Sequence, residues 1–308
     1  MNVAHKSYPD AVVEVPNGGW DPCLRMFRAA DEVDTFALIT QRYIVLVDTM
    51  STPAQAEAIL AYVKADLPGR RLLVINSHAD YDHCWGNAVF ASPDGAYPAL
   101  IIAHQLAYER LIGPDDAASL AGRQAEELRF APVRLIPPTI SFEGELRIDC
   151  GDLTLRLIPA PGHSPDQVVV WIPEWRLLLA ADAAEHPIPY VKDHATLPQL
   201  RQTLHDLLDL KPAIVLPCHG GTTSPELIHR NIAYFAALEA RVRAALTTGR
   251  ITAEQMDRPD LPELIAMPIA DMAGIAGIAP AAVTDFYRNS HLLAVRAMLT
   301  YVSNLSGQ

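Results

Sequence analysis

The feature that most constrains this chain is the stretch Ser77–Asn87, which reads SHADYDHCWGN. It follows the apolar run Leu72–Ile75, and a short apolar run with polar flanks is typical of a buried strand. Four side chains in the stretch are able to bind a metal ion: His78, Asp80, Asp82 and His83. Because α/β folds commonly keep their chemistry at the C-terminal ends of strands, the stretch predicts a functional loop.

Three further metal-capable side chains lie at or just beyond the ends of later apolar runs: His163, Asp182 and His219. Each lies in a loop with glycine or proline nearby, and glycine permits a tight turn that aims an imidazole back over a sheet. Asp48 likewise ends the predicted strand Tyr43–Thr49. Polar groups at several strand ends therefore predict a shared site.

The first half of the chain predicts a strand–helix–strand unit. Thr35–Thr40 and Tyr43–Thr49 are predicted strands joined by a short turn. The helix that follows has Thr52 as N-cap, Pro53 at the first helical position and Gln55 completing a capping box. The strand Leu72–Ile75 comes next, so we expect it to pair in parallel with the second strand. Residues 1–34 are rich in turn formers and predict no element.

A second sheet-forming region is expected at about 140–218, after helix-like sequence at 105–128. Its predicted elements are a hairpin within 146–158, a hairpin-like pair at 168–172 and 177–181, a helix at 197–210 and a strand at 213–216. With the first region at 35–105, this order suits an α/β (α+β) architecture. We expect a four-layer αββα sandwich of two facing sheets with outer helices.

In their order and spacing, these residues resemble the metallo-β-lactamase-fold hydrolase superfamily. The signature of that family is H-x-H-x-D-H, then a distant Gly-His, an aspartate at a strand end and a final His-Gly. The matching residues span 35–221 and are His78–His83, Gly162-His163, Asp182 and His219-Gly220. Asp48 matches the acidic residue that members carry at the end of the second strand. Four motifs in the correct order make the resemblance specific.

The resemblance implies a site for two divalent metal ions, with zinc expected and iron or manganese as alternatives. The first ion would bind His78, residue 80 and His163. The second would bind Asp82, His83 and His219, with Asp182 bridging the two. The family pattern has histidine at position 80, whereas this chain has Asp80. A carboxylate is a harder, anionic ligand, so it would shift preference towards iron or manganese and raise the pKa of bound water.

The activity implied is hydrolysis of a small ester, thioester or lactone through a metal-bridging hydroxide. Asp82 would orient that hydroxide, and Tyr190 is a candidate donor to the oxyanion or a pocket-lining residue. The alternative is a diiron redox protein that reacts with oxygen or nitric oxide, because flavodiiron proteins carry a carboxylate at the position of Asp80. The flavodoxin-like domain of those proteins has no counterpart in the C-terminal part of this chain.

Simpler interpretations exist for single residues. Asp80 and Asp82 could mark a polar helix start, where the helix dipole favours acidic residues. Tyr190 could be a packed loop aromatic. Cys84 and Cys218 adjoin candidate ligands, but buried cysteine more often behaves as a small hydrophobe. His104, at the end of another predicted strand, is interpreted as structural.

Domain organisation is predicted from the change to helical sequence after about 222. Residues 1–222 are expected to form a metallo-β-lactamase-like catalytic domain. Residues 223–308 are expected to form a helical extension packed on the core, with helices from Pro225, from Thr252–Gln255 and at Ala281–Val302. The amphipathic helices of the extension could mediate a homodimer.

Composition limits the partners and the location. The formal net charge of -12 argues against a nucleic-acid partner, so a small-molecule substrate is expected. No apolar run reaches the length of about 18 residues that a membrane span needs, and Met1–Asp10 lacks the apolar segment of a secretory signal. The four cysteines show no CxxC pair, which favours a cytoplasmic protein.

Overall fold

The computed structural model describes residues 11–91, 93–252 and 255–306. Two predictions fall at least partly outside these ranges: the missing secretory signal at residues 1–10 and the helix start at 252–255. The chain divides into two compact units. The first runs to Pro159 and includes Asp166–Leu179, and the second consists of Ala160–Pro165 and of Ala180 onward. The boundary predicted at residue 222 stays a prediction.

A seven-stranded mixed sheet belongs to the first unit. Its strands, in spatial order, are β1 (Val12–Val15), β2 (Leu24–Ala29), β3 (Val33–Ile39), β4 (Tyr43–Val47), β5 (Arg71–Ile75), β6 (Leu100–His104) and β7 (Ile140–Phe142). Neighbours from β1 to β4 are antiparallel, and those from β4 to β7 are parallel. The C-terminal ends of β4 and β5 therefore meet at one edge.

The predicted parallel pairing of β4 and β5 is confirmed, with Val47 opposite Ile75. A crossover is needed between parallel neighbours, and α1 (Pro53–Val63) supplies it. Thr52 is its N-cap and accepts a hydrogen bond from the Gln55 amide, as predicted. The Gln55 side chain accepts from the Ser51 amide, so the reciprocal half of the capping box reaches one residue further back.

The second sheet has five strands, in the order β12-β11-β10-β9-β8. Their bounds are β8 (Leu146–Asp149), β9 (Thr154–Pro159), β10 (Val168–Ile172), β11 (Leu177–Ala181) and β12 (Ile214–Pro217). The two predicted hairpins are confirmed, because β8 pairs antiparallel with β9 and β10 with β11. Every residue of β10 and β11 is buried, as their continuous apolar sequences predict.

The first sheet contains three strands that the sequence did not predict as part of it. β1 and β2 lie within the turn-rich start of the chain, and β7 lies in the region assigned to the second sheet. β2 carries two arginines, which weaken its apolar pattern. Both are paired with carboxylates on the neighbouring strands: Arg25 donates to Glu14 of β1 at 2.7 Å and Arg28 to Asp34 of β3 at 2.6 Å. No local signal in the sequence shows such pairing.

The remaining helices of the first unit follow β5 and β6. α2 (Tyr81–Cys84) is a single turn, and α3 (Gln105–Leu111) and α4 (Pro114–Glu126) lie within the stretch 105–128 that the sequence predicted as helix-like. The two helices are separated at Gly113, which has extended backbone and precedes the first-turn proline of α4. The prediction of helical sequence is therefore confirmed, and the break is a detail that it did not include.

The second unit is mostly helical beyond β12. Its helices are α5 (Leu197–Asp209), α6 (Glu226–Thr247), α7 (Leu261–Leu264), α8 (Ile269–Ala276) and α9 (Asp285–Ser306). The long helices predicted from Pro225 and near Ala281–Val302 are present as α6 and α9. None of the helices within the described ranges combines the length and apolar composition of a membrane span.

Candidate metal centre

A buried carboxylate fixes the loop Ser77–His83, called the histidine loop below, which follows β5. Asp48, directly after β4, accepts from the Ser77 amide and from the Ser77 hydroxyl, each at 2.7 Å. Nδ1 of His83 lies 2.9 Å from the same carboxylate, and Nδ1 of His78 lies 3.0 Å from the Ser77 hydroxyl oxygen. Asp48 is therefore a direct partner of the candidate ligand His83.

This network sets the tautomers of both histidines. A carboxylate only accepts, so His83 donates from Nδ1 to Asp48. The Ser77 hydroxyl donates its single proton to Asp48, so the Ser77 oxygen accepts a hydrogen bond from Nδ1 of His78. In the neutral rings Nε2 then carries the lone pair. Such outer partners orient imidazoles for metal binding.

Two histidine–aspartate pairs stand side by side in the histidine loop. Nε2 of His78 is 3.5 Å from Oδ2 of Asp80, and Nε2 of His83 is 3.7 Å from Oδ2 of Asp82. The centroids of the two imidazole rings are 4.1 Å apart. The loop thus presents two adjacent pairs of nitrogen and oxygen donors.

Asp80 does not play the part of a helix cap. It occupies the N-cap position of α2, but its carboxylate makes no capping hydrogen bond. Its Oδ1 instead accepts from Nη2 of Arg110 at 2.8 Å. The simpler interpretation of this aspartate as a mere helix start therefore does not account for its side chain.

Arg110 and Asp166 support the loop from outside. Nη1 of Arg110 donates to Oδ1 of Asp166 at 2.7 Å, and Oδ2 of Asp166 accepts from the Ala79 amide, also at 2.7 Å. Burial, the largest single effect, would raise the pKa of Asp166, but the charge and hydrogen bond of Arg110, together with the effect of His78, outweigh burial and lower the pKa. The ion pair is therefore held in its charged form.

The backbone beside the histidine loop allows no extra atoms. A Cβ on Gly86 would lie 2.1 Å from the Thr49 carbonyl oxygen, so only glycine fits there. The Thr49 amide donates to the His83 carbonyl at 2.7 Å. Trp85 is buried with its ring edge-on to Phe130 at 5.4 Å. Contacts with the β4 end and with the core thus fix the turn that carries His83.

In the second unit, one carboxylate oxygen lies close to two histidines. Oδ2 of Asp182, directly after β11, is 3.5 Å from Nε2 of His163 and 3.2 Å from Nε2 of His219. The ends of β11 and β12 are joined by a hydrogen bond from the Cys218 amide to the Ala181 carbonyl at 3.1 Å. A carboxylate shared by two imidazoles is the arrangement that a bridging ligand requires.

Glycines beside both histidines are required by the geometry, as the sequence predicted. Gly162 has φ +143°, and a Cβ there would lie 2.4 Å from the Leu200 backbone. Gly220 has φ +95°, and a Cβ there would lie 2.1 Å from the His186 carbonyl oxygen. Any other residue would push the imidazole-bearing turns out of place.

Glu185 is a further carboxyl group at this site, which the sequence did not indicate. It is buried, and its Oε1 lies 3.6 Å from Nδ1 of His163 and accepts from the Tyr190 amide at 2.8 Å. Asn231 of α6 holds the Glu185 backbone by two hydrogen bonds. Burial, with the nearby charge of Asp182, raises the pKa of Glu185 to about 7.

An aromatic cluster lies next to His163. The ring centroid of Tyr190 is 6.1 Å from that of His163, and Phe286 of α9 stacks on Tyr190 at 5.8 Å. Phe286 nevertheless remains 57% exposed. Burial, with the charges of Glu185 and Asp182, raises the pKa of Tyr287 well above its ordinary value. We call Tyr190, Phe286 and Tyr287 the aromatic cluster.

The donor atoms fit a metal ion in spacing and in chemistry. Two atoms bound at about 2.0–2.2 Å to one tetrahedral ion lie about 3.3–3.6 Å apart. The four histidine–aspartate pairs are separated by 3.5, 3.7, 3.5 and 3.2 Å. Imidazole nitrogen and carboxylate oxygen suit zinc, iron and manganese. The residues therefore fit the metal ions that the resemblance implied.

Each predicted site residue is thus placed in one of the two units. The first unit carries His78, Asp80, Asp82 and His83, and the second carries His163, Asp182, His219 and Tyr190. Cys84 is buried, and burial raises the pKa of its thiol well above the ordinary value. The His104 ring accepts from the Leu106 amide as the N-cap of α3, a structural role.

Arg110, Asp166 and Glu185 were missed. Each lies tens of residues from its partner or in a loop without a motif. Only a buried charge would have drawn attention to them, and burial is not visible in the sequence.

Comparisons with known proteins identify the family and the fold. The family model for the metallo-beta-lactamase superfamily matches residues 30–219. A metallo-beta-lactamase family protein from Thermus thermophilus has 19% identity and a TM-score of 0.60, covering 96% of this chain and 93% of that one. A metallo-beta-lactamase from Pontibacter korlensis has 17% identity and a TM-score of 0.52, covering 72% and 98%.

A double mutant of the sec-alkyl sulfatase PisA1 is also similar, with 15% identity and a TM-score of 0.56. It covers 79% of this chain and 44% of its own. At such identities the likeness shows the fold alone, and it confirms the predicted α/β sandwich class. No curated protein matches the sequence.

Proposed function

The chain belongs to the metallo-beta-lactamase superfamily, and from this we propose that it is a metal-dependent hydrolase of a small ester, thioester or lactone. Members of this superfamily are mostly hydrolases that use divalent metals. The observation that carries the proposal is Asp182, whose single oxygen lies within 3.5 Å of an Nε2 atom of both His163 and His219. Such a carboxylate suits two ions better than one.

The ligand assignment follows the family order. His78, Asp80 and His163 would hold one ion, while Asp82, His83 and His219 would hold the other, with Asp182 between them. The histidine–aspartate pairs of the first unit support this division, because each pair supplies one nitrogen and one oxygen donor. When bound, the ions would lower the pKa of water towards neutrality and polarise a carbonyl oxygen.

The chain's own residues would do the rest. Asp48 and Ser77 keep the protons of His83 and His78 on Nδ1, which leaves Nε2 able to bind. Asp82 would accept a proton from the attacking water. It would also hold the water oxygen in line with the carbonyl carbon of the substrate. Glu185 lies next to Nδ1 of His163 and would orient that ring.

Tyr190 is proposed to line the substrate side of the site. Its ring is stacked on Phe286, and its backbone amide donates a hydrogen bond to Glu185. This packing supports contact with an apolar part of the substrate. A role for its hydroxyl as an oxyanion donor stays a prediction, as do the cytoplasmic location and the homodimer.

The test is metal analysis combined with a substrate panel. Purified protein should carry about two equivalents of zinc, iron or manganese, measured by plasma mass spectrometry. The panel should include esters, thioesters and lactones, with a β-lactam and a secondary alkyl sulfate because similar structures bear those names. Chelation and Asp82→Ala should each abolish turnover, and Asp94→Ala in an exposed segment serves as the control.

Two results would contradict the proposal. Protein without metal, or turnover that survives chelation, would exclude a metal-dependent hydrolase. An iron spectrum with consumption of oxygen or nitric oxide and no hydrolysis would instead support the diiron alternative. The carboxylate of Asp80 is the reason for considering that alternative.

A further inference from the structure

Asp80 is the position at which this chain departs from the family signature, and the structure gives it a partner. Arg110 of α3 donates from Nη2 to Oδ1 of Asp80 at 2.8 Å, while Oδ2 of the same carboxylate lies 3.5 Å from Nε2 of His78. One oxygen therefore faces the arginine and the other faces the neighbouring ligand. A carboxylate held in this way has a single oxygen left for an ion.

The arginine is itself held in place. Nη1 donates to Asp166 at 2.7 Å, and Asp166 is buried and also accepts from the Ala79 amide, which lies between two ligands. Asp116 of α4 lies 3.5 Å from Nη2. Burial alone would lower the pKa of Arg110, but the charges of Asp166 and Asp80 raise it, so the guanidinium stays charged. A planar fork that contacts two carboxylates at once is a geometry that lysine cannot reproduce.

We propose that Arg110 is a positioning residue that makes Asp80 behave like the histidine it replaces. Its hydrogen bond restricts Asp80 to one donor oxygen, so the carboxylate offers an ion a single donor atom, as a histidine does. The site then keeps the low coordination number of a histidine site. On this basis the expected shift towards iron or manganese is suppressed and the preference for zinc is retained. The inference rests on the metal centre of the proposed function.

The test uses cobalt(II) and competition between zinc and manganese on metal-free full-length protein. Removing the arginine with Arg110→Gln leaves both Asp80 oxygens available to one ion. We expect weaker visible absorption from bound cobalt, which reports a higher coordination number. We also expect the zinc-to-manganese affinity ratio to fall by about 10–100-fold, the usual scale for outer-shell partners.

A second pair of variants separates positioning from a general structural effect. In Asp80→His protein the arginine has no carboxylate to restrain, so adding Arg110→Gln should leave the cobalt spectrum and the affinity ratio unchanged. The control is Arg156→Gln. Arg156 is likewise ion-paired, in its case with the single carboxylate of Glu145, and its side chain is 35% exposed, against 27% for Arg110. It should match the wild type.

Circular dichroism should show that each variant is folded. If Arg110→Gln does not fold, Arg110→Lys is compared in the two backgrounds instead, because lysine keeps the charge but loses the fork. Unchanged spectra and ratios in the Asp80 background would overturn the inference, and so would equal changes in both backgrounds.

The outcome for the metal centre is read separately. Wild-type protein that binds neither cobalt nor zinc would overturn the centre and this inference together. Metal binding without hydrolysis would count against the hydrolase proposal alone.

Discussion

The imidazoles of the histidine loop differ from surface histidines in how their ring nitrogens are used. Asp48 and Ser77 take the Nδ1 protons of His83 and His78, and all four residues are buried. The ring orientation is thus fixed before any ion binds. A site of this kind loses little conformational entropy on binding, so its affinity depends strongly on the buried carboxylate behind it.

Asp48→Asn tests that dependence. An amide offers one acceptor oxygen in place of two, so it cannot serve the Ser77 amide and the His83 ring equally. We expect zinc affinity to fall by about 10–100-fold, measured by competition with a chromophoric chelator. Asp149→Asn is the control, since Asp149 is 63% exposed in a surface pair with Arg42. Equal affinities for both variants would contradict a role for Asp48 in orienting His83.

Asp182→Asn tests the shared oxygen. Replacing the anionic carboxylate by an amide weakens both contacts to Nε2, of His163 and of His219, at once. Dialysed protein should lose at least one of its two ions, and turnover should fall by more than the roughly 100-fold typical of an outer-shell change. Plasma mass spectrometry and steady-state rates check this. Asp193→Asn, at a position 57% exposed, should retain both ions.

The sequence was most informative where a residue sits in a motif. The candidate ligands could be named because each lies at the end of an apolar strand or in the loop that follows one. Arg110 could not be named, because its partners Asp80 and Asp166 lie 30 and 56 positions away and only the packing of α3 brings them together. Spacing along the chain carries no record of such contacts.

At the scale of elements, the start of α9 lies beside candidate ligands of the second unit. Phe286 stacks on Tyr190, and the charges of Glu185 and Asp182 help to raise the pKa of the adjacent Tyr287. The sequence predicted a helix at Ala281–Val302 and indicated no site role for Phe286 or Tyr287. An exposed aromatic side chain next to a polar site instead indicates contact with the apolar part of a substrate.

Phe286→Ala tests this contact. Loss of an aromatic stacking partner costs about 0.5–1.5 kcal/mol, so KM for esters with a large apolar acyl group should rise by roughly 2–10-fold. An acetyl ester should be affected less, and kcat should change little, because the ring holds substrate without touching the reacting atoms. Leu305→Ala, 45% exposed in the same helix, is the control. Equal effects on large and small substrates would argue against the contact.

Strands and helices were predicted well where one periodicity dominates. β5, β10 and β11 are continuous apolar runs, and their strands begin or end within a residue or so of the prediction. β2 and the α3–α4 break were missed for opposite reasons. Charged residues in β2 hide its buried face, while Gly113 interrupts a stretch whose composition is helical throughout.

At the scale of the whole molecule, acidic residues outnumber basic ones. The net charge of -12 coexists with buried arginine pairs, such as Arg129 with Glu32 at 2.7 Å in the first unit. We expect this acidic excess to oppose the binding of anionic polymers and to have little effect on a small neutral ester. We expect the free energy of unfolding to depend on pH mainly through buried titratable side chains.

His291 of α9 offers such a dependence. Its Nε2 donates to the Met267 carbonyl at 2.8 Å, and its Nδ1 lies 2.9 Å from the Tyr234 hydroxyl oxygen, which is able to donate to a neutral ring. Burial lowers the pKa of His291 below its ordinary 6.5, against the opposing effects of the Met267 carbonyl and of Glu263. The unfolded chain therefore takes up a proton first as pH falls.

Stability is lost from about pH 6.5 downward, until the folded pKa is reached. Between pH 7.5 and 5.5 this group should account for at most about 1.4 kcal/mol of the free energy of unfolding. His291→Gln keeps one donor and one acceptor but does not titrate, so its urea midpoint should fall less over this range than that of the wild type. His205→Gln, exposed on α5, should behave like the wild type. Parallel pH profiles for all three proteins would show that His291 contributes nothing to acid sensitivity.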